Sequence, residues 1–269
     1  MRKIVAYSGG YDSTLTLANL MDSANSDDEI VAVSIVHYNT GEAKLRREQE
    51  SRIITVDRLR EMYPKIKLST MEIMVNVPWR LGDGANNRGL SQPIFWVCNL
   101  IPLVKDGDEV YLSYIKDDQA MIHMSDIFSM WNSALKIQDN KNVKLIIPNR
   151  YLTKQDVFRN MFMKYPNLVD SCISCESLNY QGRKSVCGYC EPCRHTKMAL
   201  TNLVINENGS VRRDARSLLF DLFGIEIKVD HPDYLSDDEE VEPASRLSDE
   251  VEPAKKASDK NIKAEEVSE

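Results

Sequence analysis

The chain lacks several things that would each decide its class. No run of roughly 18 apolar residues occurs in its 269 residues, which excludes a bilayer-spanning helix. The N-terminus offers only Ile4 to Tyr7 before Ser8-Gly9-Gly10, too short an apolar core for a signal peptide. The reading is therefore a cytoplasmic protein. An excess of positive charge is also missing. The net charge is −7, but residues 236–269 hold 12 acidic and 5 basic residues. That leaves 29 of each sign in residues 1–235, so the body has no surplus to neutralise a phosphate backbone. Extended nucleic-acid binding is not expected. With 42% hydrophobic and 28% charged residues, what remains is ordinary globular chemistry.

In the first 150 residues, short β-type runs alternate with longer amphipathic stretches. The pattern predicts strands over Ile4–Tyr7, Ile30–Val36, Lys67–Val75, Glu109–Tyr114 and Val143–Ile147. It predicts helices over Asp12–Met21, Glu42–Met62, Pro93–Val104 and Met121–Ile137, and one that Thr153 caps and that runs to Lys164. Alternating strands and helices imply an α/β fold, a doubly wound parallel sheet covered on both faces. The expected organisation is a domain over 1–165, a small metal-binding helical segment over 166–235, and a disordered acidic tail over 236–269. That tail repeats Leu-Ser-Asp with acidic residues before Pro-Ala and has no aromatic residue after Tyr234. It is a solvated appendage or a docking segment for another protein.

Ser8-Gly9-Gly10-Tyr11-Asp12-Ser13 joins the first strand to the first helix. Ligands of such sheets sit beyond the carboxyl ends of the strands. Two glycines allow close backbone approach to an anion, the helix start supplies N–H groups, and Ser8 and Ser13 add hydroxyls. Asp12 fits an anion site if Mg²⁺ is bound there. The plain alternative is a tight turn with Asp12-Ser13 as a helix cap. No Lys follows the glycines, so this is not the phosphate loop of the common nucleotide hydrolases.

Five of the six cysteines fall between Cys172 and Cys193. Cys187-Gly188-Tyr189-Cys190-Glu191-Pro192-Cys193 is C-x-x-C-x-x-C, and such turns grip one metal ion. Three thiolates need a fourth ligand. Spacing alone does not choose between Cys175 and Cys172; Cys175, the nearer in sequence, is taken as the fourth ligand, with Cys172 as the alternative. Zn²⁺ is preferred over an iron–sulfur cluster because the Cys-Pro that usually completes the latter is missing, Arg194-His195 following instead. Cys98, among the apolar residues of its helix, is expected in the core.

The Ser8–Ser13 string resembles the SGGxDS signature of the PP-loop ATP pyrophosphatases, α/β enzymes of a Rossmann-like type. Such enzymes cleave ATP between its α and β phosphates and adenylate a substrate oxygen. With the cysteine knuckle ending in Arg194, and with Leu152-Thr153-Lys154-Gln155-Asp156-Val157, the chain from Ile4 to about Leu203 is similar to the QueC-type 7-cyano-7-deazaguanine synthases. That resemblance implies a ligase that converts 7-carboxy-7-deazaguanine and ammonia to the nitrile, through an adenylated carboxylate and an amide, with ATP, Mg²⁺ and Zn²⁺. It assigns Ser8, Gly9, Gly10, Asp12 and Ser13 to phosphate and Mg²⁺, with Asp12 and Ser13 catalytic, and it implies a homodimer. His37 is a candidate for the nucleotide pocket and Arg194 for the substrate carboxylate. The alternatives are an enzyme that stops at the amide or acts on another carboxylate, a non-catalytic nucleotide-binding scaffold, and a tRNA-thiolating PP-loop enzyme.

Overall fold

A computed structural model of the protein describes residues 1–37, 42–75, 92–140, 142–175 and 186–227. In chain order the elements are β1 (Arg2–Ala6), α1 (Tyr11–Ser23), β2 (Glu29–His37), α2 (Glu42–Met62), β3 (Lys67–Val75), α3 (Gln92–Leu100), β4 (Glu109–Tyr111), α4 (Met124–Ile137), β5 (Lys144–Ile146) and α5 (Lys154–Lys164). The one-turn α6 (Pro166–Val169), then α7 (Glu191–Asn206) and α8 (Gly209–Phe223), complete them.

The five strands form one sheet in the order β3-β2-β1-β4-β5, and every pairing is parallel. The chain winds outward from β1 to β3, then restarts beside β1 with β4. This reversal opens a crevice at the carboxyl ends of β1 and β4. The loop with the two glycines leaves β1 at that point.

Side chains of a strand alternate between its faces, and a parallel sheet is covered on both, so its central strands are apolar throughout. Val5, Tyr7, Ile30 and Ala32 join one core with residues of α1, α5, α7 and α8. Ile4, Ala6, Val31 and Val33 join the other, with Val97 and Leu100 of α3 and Trp131 of α4. The first core is continuous across residue 165. Leu200, Leu203 and Leu219 lie in it together with Val157, Phe158 and Met161. Residues 1–229 form one compact unit, and 230–269 lie outside the described residues.

Most expected elements recur within a residue or two, and the differences have local causes. The helix expected over Pro93–Val104 breaks at Leu100 into a 3₁₀ turn carrying Pro102, which has no N–H to continue the ladder. The strand expected to reach Tyr114 stops at Tyr111. Beyond it the Asp118 carboxylate accepts the Ile115 N–H at 2.8 Å and closes a turn. Cys98 is exposed, contrary to the core position expected for it, because α3 buries Phe95, Val97 and Leu100 and turns Cys98 outward. Among the described residues no helix is long and apolar enough to cross a membrane.

Because α7 shares its core with α1 and α5, the unit should unfold in one transition. Leu200 is fully buried in that core, and Leu200→Ala should cost about 2–5 kcal/mol. Urea unfolding followed by both circular dichroism and tryptophan fluorescence checks this, with the two curves of the variant shifting together.

Candidate functional site

The loop after β1 is held from below. Gly9 has φ +85°, a left-handed conformation that favours glycine, and a Cβ there would lie 3.1 Å from both Arg52 Cγ and Ser51 Oγ of α2. The Ser51 hydroxyl donates to the Gly9 carbonyl at 3.0 Å, and the Ile173 N–H donates to it at 3.1 Å. That carbonyl is thereby committed to the protein and is not turned on an incoming anion. Ser8 Oγ and Ser13 Oγ stand 3.1 Å apart, and Ser13 Oγ also accepts the Ser8 N–H at 3.3 Å. Gly10 is the N-cap of α1 and has no side chain to cap it, so the opening amides of a 13-residue helix are left for a ligand. The structure thus brings Ser8, Gly9, Gly10 and Ser13 together in one hydrogen-bonded turn.

Asp12 carries the charge of the site. Both its carboxylate oxygens accept from Lys154 Nζ, at 2.9 and 2.7 Å. Lys154 opens α5. Its backbone N–H donates to Asp117 Oδ2 at 2.9 Å, and the preceding Thr153 forms a reciprocal capping box with Asp156. The Asn149 amide donates to the Asp12 carbonyl at 3.2 Å and to Thr16 Oγ1 at 2.9 Å. The half-buried Asp118 carboxyl is pushed up to about 6, mainly by desolvation, with the nearby Asp12 charge adding to it and the Ile115 N–H opposing.

The second constellation is the cysteine group. The Sγ atoms of Cys175, Cys187, Cys190 and Cys193 all lie within 4.8 Å of one another. Gly188, at φ +76°, makes the turn that lets Cys190 N–H donate to Cys187 Sγ at 3.3 Å. The Cys187 N–H in turn donates to Cys175 Sγ at 3.3 Å. Cys190 and Cys193 flank the start of α7, and burial pushes the Cys193 thiol well up. Burial opposes ionisation of Cys187, but N–H donors from Cys190 and Tyr189 outweigh it and bring that thiol down to about 7. Cys172 is not in the group. Its thiol is buried, donates to the Leu168 carbonyl at 3.2 Å, and burial pushes it up to about 12.

The remaining candidates are placed less centrally. Arg194 is exposed on the first turn of α7. His37 ends β2, and its side chain lies outside the described residues. Arg46 pairs with Glu42 at 2.6 Å on an exposed face, as a solvated helix surface should. Arg47 and Glu48, on the same helix, are half-buried, because α2 turns this edge onto the glycine loop. Sequence reasoning missed Lys154, Ser51, Arg52 and Asn149. Only Lys154 had a signal, within Leu152–Val157, which carried no role for it.

No family model matches the chain, and no curated protein matches it in sequence. Among solved structures it is similar to the U34-tRNA thiolase NcsA from Methanococcus maripaludis with its [4Fe-4S] cluster. That likeness covers 89% of this chain and 78% of the other at 16% identity, with a TM-score of 0.39. At that level it says nothing of substrate or metal.

Two outcomes follow from this geometry. Gly9→Ala should destabilise the fold by about 1–2 kcal/mol or more, from the left-handed backbone and the two 3.1 Å contacts. Gly10→Ala, whose Cβ would meet its nearest atoms at 3.4 Å, should be close to neutral. Urea midpoints of the two variants decide it. Asp118 is stabilised in its protonated form by the fold, so its contribution is full below the unfolded carboxyl range near pH 4 and is lost as pH rises through about 6. Asp118→Asn should remove about 1–2 kcal/mol of stability loss between pH 4 and 7, read from urea midpoints across that range.

Proposed function

We propose that the chain is an ATP pyrophosphatase of the PP-loop type, which adenylates a carboxylate and passes it to a nitrogen nucleophile. The observation that carries this reading is the loop after β1, where left-handed Gly9, the paired Ser8 and Ser13 hydroxyls and the uncapped start of α1 meet at the sheet's topological switch point. Attack of a carboxylate on the α-phosphorus brings two anions together. Backbone N–H groups and hydroxyls held in place beforehand offset that repulsion and stabilise departing pyrophosphate. Mg²⁺, held by Asp12, would supply further charge to the phosphates.

The substrate proposed is 7-carboxy-7-deazaguanine with ammonia, in keeping with the resemblance carried by Ser8–Ser13, Leu152–Val157 and Cys187–Arg194. Ser8, Gly9, Gly10 and Ser13 would hold phosphates, and Arg194 the substrate carboxylate. A homodimer is the assembly proposed with it. For the metal, a single tetrahedral Zn²⁺ with bonds of about 2.3 Å needs sulfurs about 3.8 Å apart. Cys187 and Cys193 Sγ are 3.8 Å apart, and the whole group lies within 4.8 Å. A four-iron cube sets an iron between each thiolate and its centre and needs the thiolates farther apart. The spacing favours zinc with a structural role. Thiolation of tRNA stands second, since it calls for a free sulfur nucleophile. Cys172, the free thiol that shares a cavity wall with Cys175 and Cys193, is held protonated by burial.

Incubation with 7-carboxy-7-deazaguanine, ammonia and Mg-ATP should yield AMP together with the amide or the nitrile, read by mass spectrometry. Unchanged base without AMP, from metal-loaded protein, would sink the assignment. Cys172→Ser should keep activity within about twofold, whereas a sulfur relay through that thiol would lose it. The purified chain should carry one zinc, and Cys190→Ser should lose it by elemental analysis.

A further inference from the structure

A carboxylate at the mouth of an anion site needs an explanation, and the ion pair of Asp12 with Lys154 supplies one. Lys154 is buried, its side chain only 10% exposed, while the Asp12 side chain is 25% exposed. The pair therefore has one closed side and one open side, and the open side belongs to the carboxylate. The ammonium sits 5.7 Å from the centre of the Tyr11 ring and 5.9 Å from that of Phe158, an aromatic lining that tolerates a cation but replaces little of its hydration. Once ordered there, the ammonium requires an anionic partner. The backbone of Lys154 is fixed from two directions, by Asp117 on its N–H and by the Thr153–Asp156 capping box. Only the far end of its side chain is left to exchange partners.

We propose that Lys154 is a phosphate-binding residue parked on Asp12 in the free protein, and that the Asp12 carboxylate competes with the phosphates of ATP for its ammonium. The inference rests on the ATP reading of the loop and adds a regulation to it. Without a divalent cation the incoming polyphosphate meets a carboxylate whose counter-charge is already engaged, and binding is weak. When the carboxylate is neutralised, the ammonium is released to the phosphates. Asp12 thus makes the site selective for the metal-complexed nucleotide, by penalising the bare one. A charge-assisted bond of this kind is strong enough for the exchange to be visible in affinity.

The consequence has an unusual sign. Removing a negative charge from the site through Asp12→Asn should tighten binding of ATP in the absence of Mg²⁺ by about tenfold, the worth of one hydrogen bond to a charged group. Lys154→Met should weaken ATP by about tenfold or more, while the double variant should fall back to the wild-type level or below. Calorimetric titration of the full-length, metal-loaded chain with Mg-ATP, with ATP in Mg²⁺-free buffer and with adenosine reads all of this. Adenosine, which has no phosphate, should bind the variants alike. Should Lys154→Met fail to fold, Asp12→Asn still carries the test, and Lys154→Arg, which keeps the cation, should retain ATP binding. Wild-type protein that binds ATP, with no gain or a loss in Asp12→Asn, overturns the exchange alone. Wild-type and variant proteins that are folded yet bind no ATP overturn the exchange and the underlying nucleotide reading together.

Discussion

The bond between Asp12 and Lys154 joins residues 142 positions apart, on helices that follow the two halves of a sheet paired through β1 and β4. Asp12 belongs to the first helix after β1, and Lys154 to the helix after β5. Each is placed by its own local device: an uncapped glycine turn in the one case, a capping box in the other. Neither charge is comfortable alone at this depth, so the pair constrains both helices to enter the crevice at one height. The rings of Tyr11 and Phe158, with centroids 4.6 Å apart directly beneath, give the same two helices an apolar contact in the same register. Polar and apolar constraints agree there, which is what a single well-defined arrangement needs.

The cysteine group enters this frame through Ile173. Its N–H holds the Gly9 carbonyl, and Cys175 lies two residues further on. A metal gripping Cys175 and the start of α7 would therefore also restrain the segment that supports the glycine loop. α7 itself is fixed by burial of Leu200 and Leu203 against α5. The cysteine group and the glycine loop are thus two ends of one short path of backbone.

Much of this was legible in the sequence, for reasons that differ by element. Apolar strands buried on both faces announce themselves as continuous runs, and Ile30–Val36 needed extension by only one residue at each end to become Glu29–His37. The glycine loop was legible because a left-handed residue beside a helix start leaves few amino-acid choices. What remained hidden depends on tertiary contact. Ser51, Arg52 and Asn149 are ordinary helix and loop residues until they meet Gly9 and the start of α1. Glu48 reads as solvated by helical period, yet α2 crosses the loop there and burial raises its carboxyl. Lys154 was visible as a letter in a motif, and its partner was not, because no periodicity links positions so distant. Cys98 shows the converse. Composition suggested a core thiol, and only the rotation of α3 decides that it faces outward.

The balance of charge in the body gains a physical sense from the same site. An enzyme that tracks a long nucleic acid needs many unpaired cations on its surface. Among the described residues this chain holds several of its cations one at a time on a carboxylate: Lys154 on Asp12, Arg52 on Glu72 and Glu48, Arg58 on Asp170, Arg159 on Asp156 and Glu207. An anion that enters beside such a pair must displace the carboxylate to gain its cation. Selectivity in such a site comes from exchange of partners rather than from attraction at a distance. For the nucleotide reading proposed for this loop, that favours a small, metal-complexed ligand with its charge concentrated at one point, bound by an anion-binding loop inside a body with no net charge of its own.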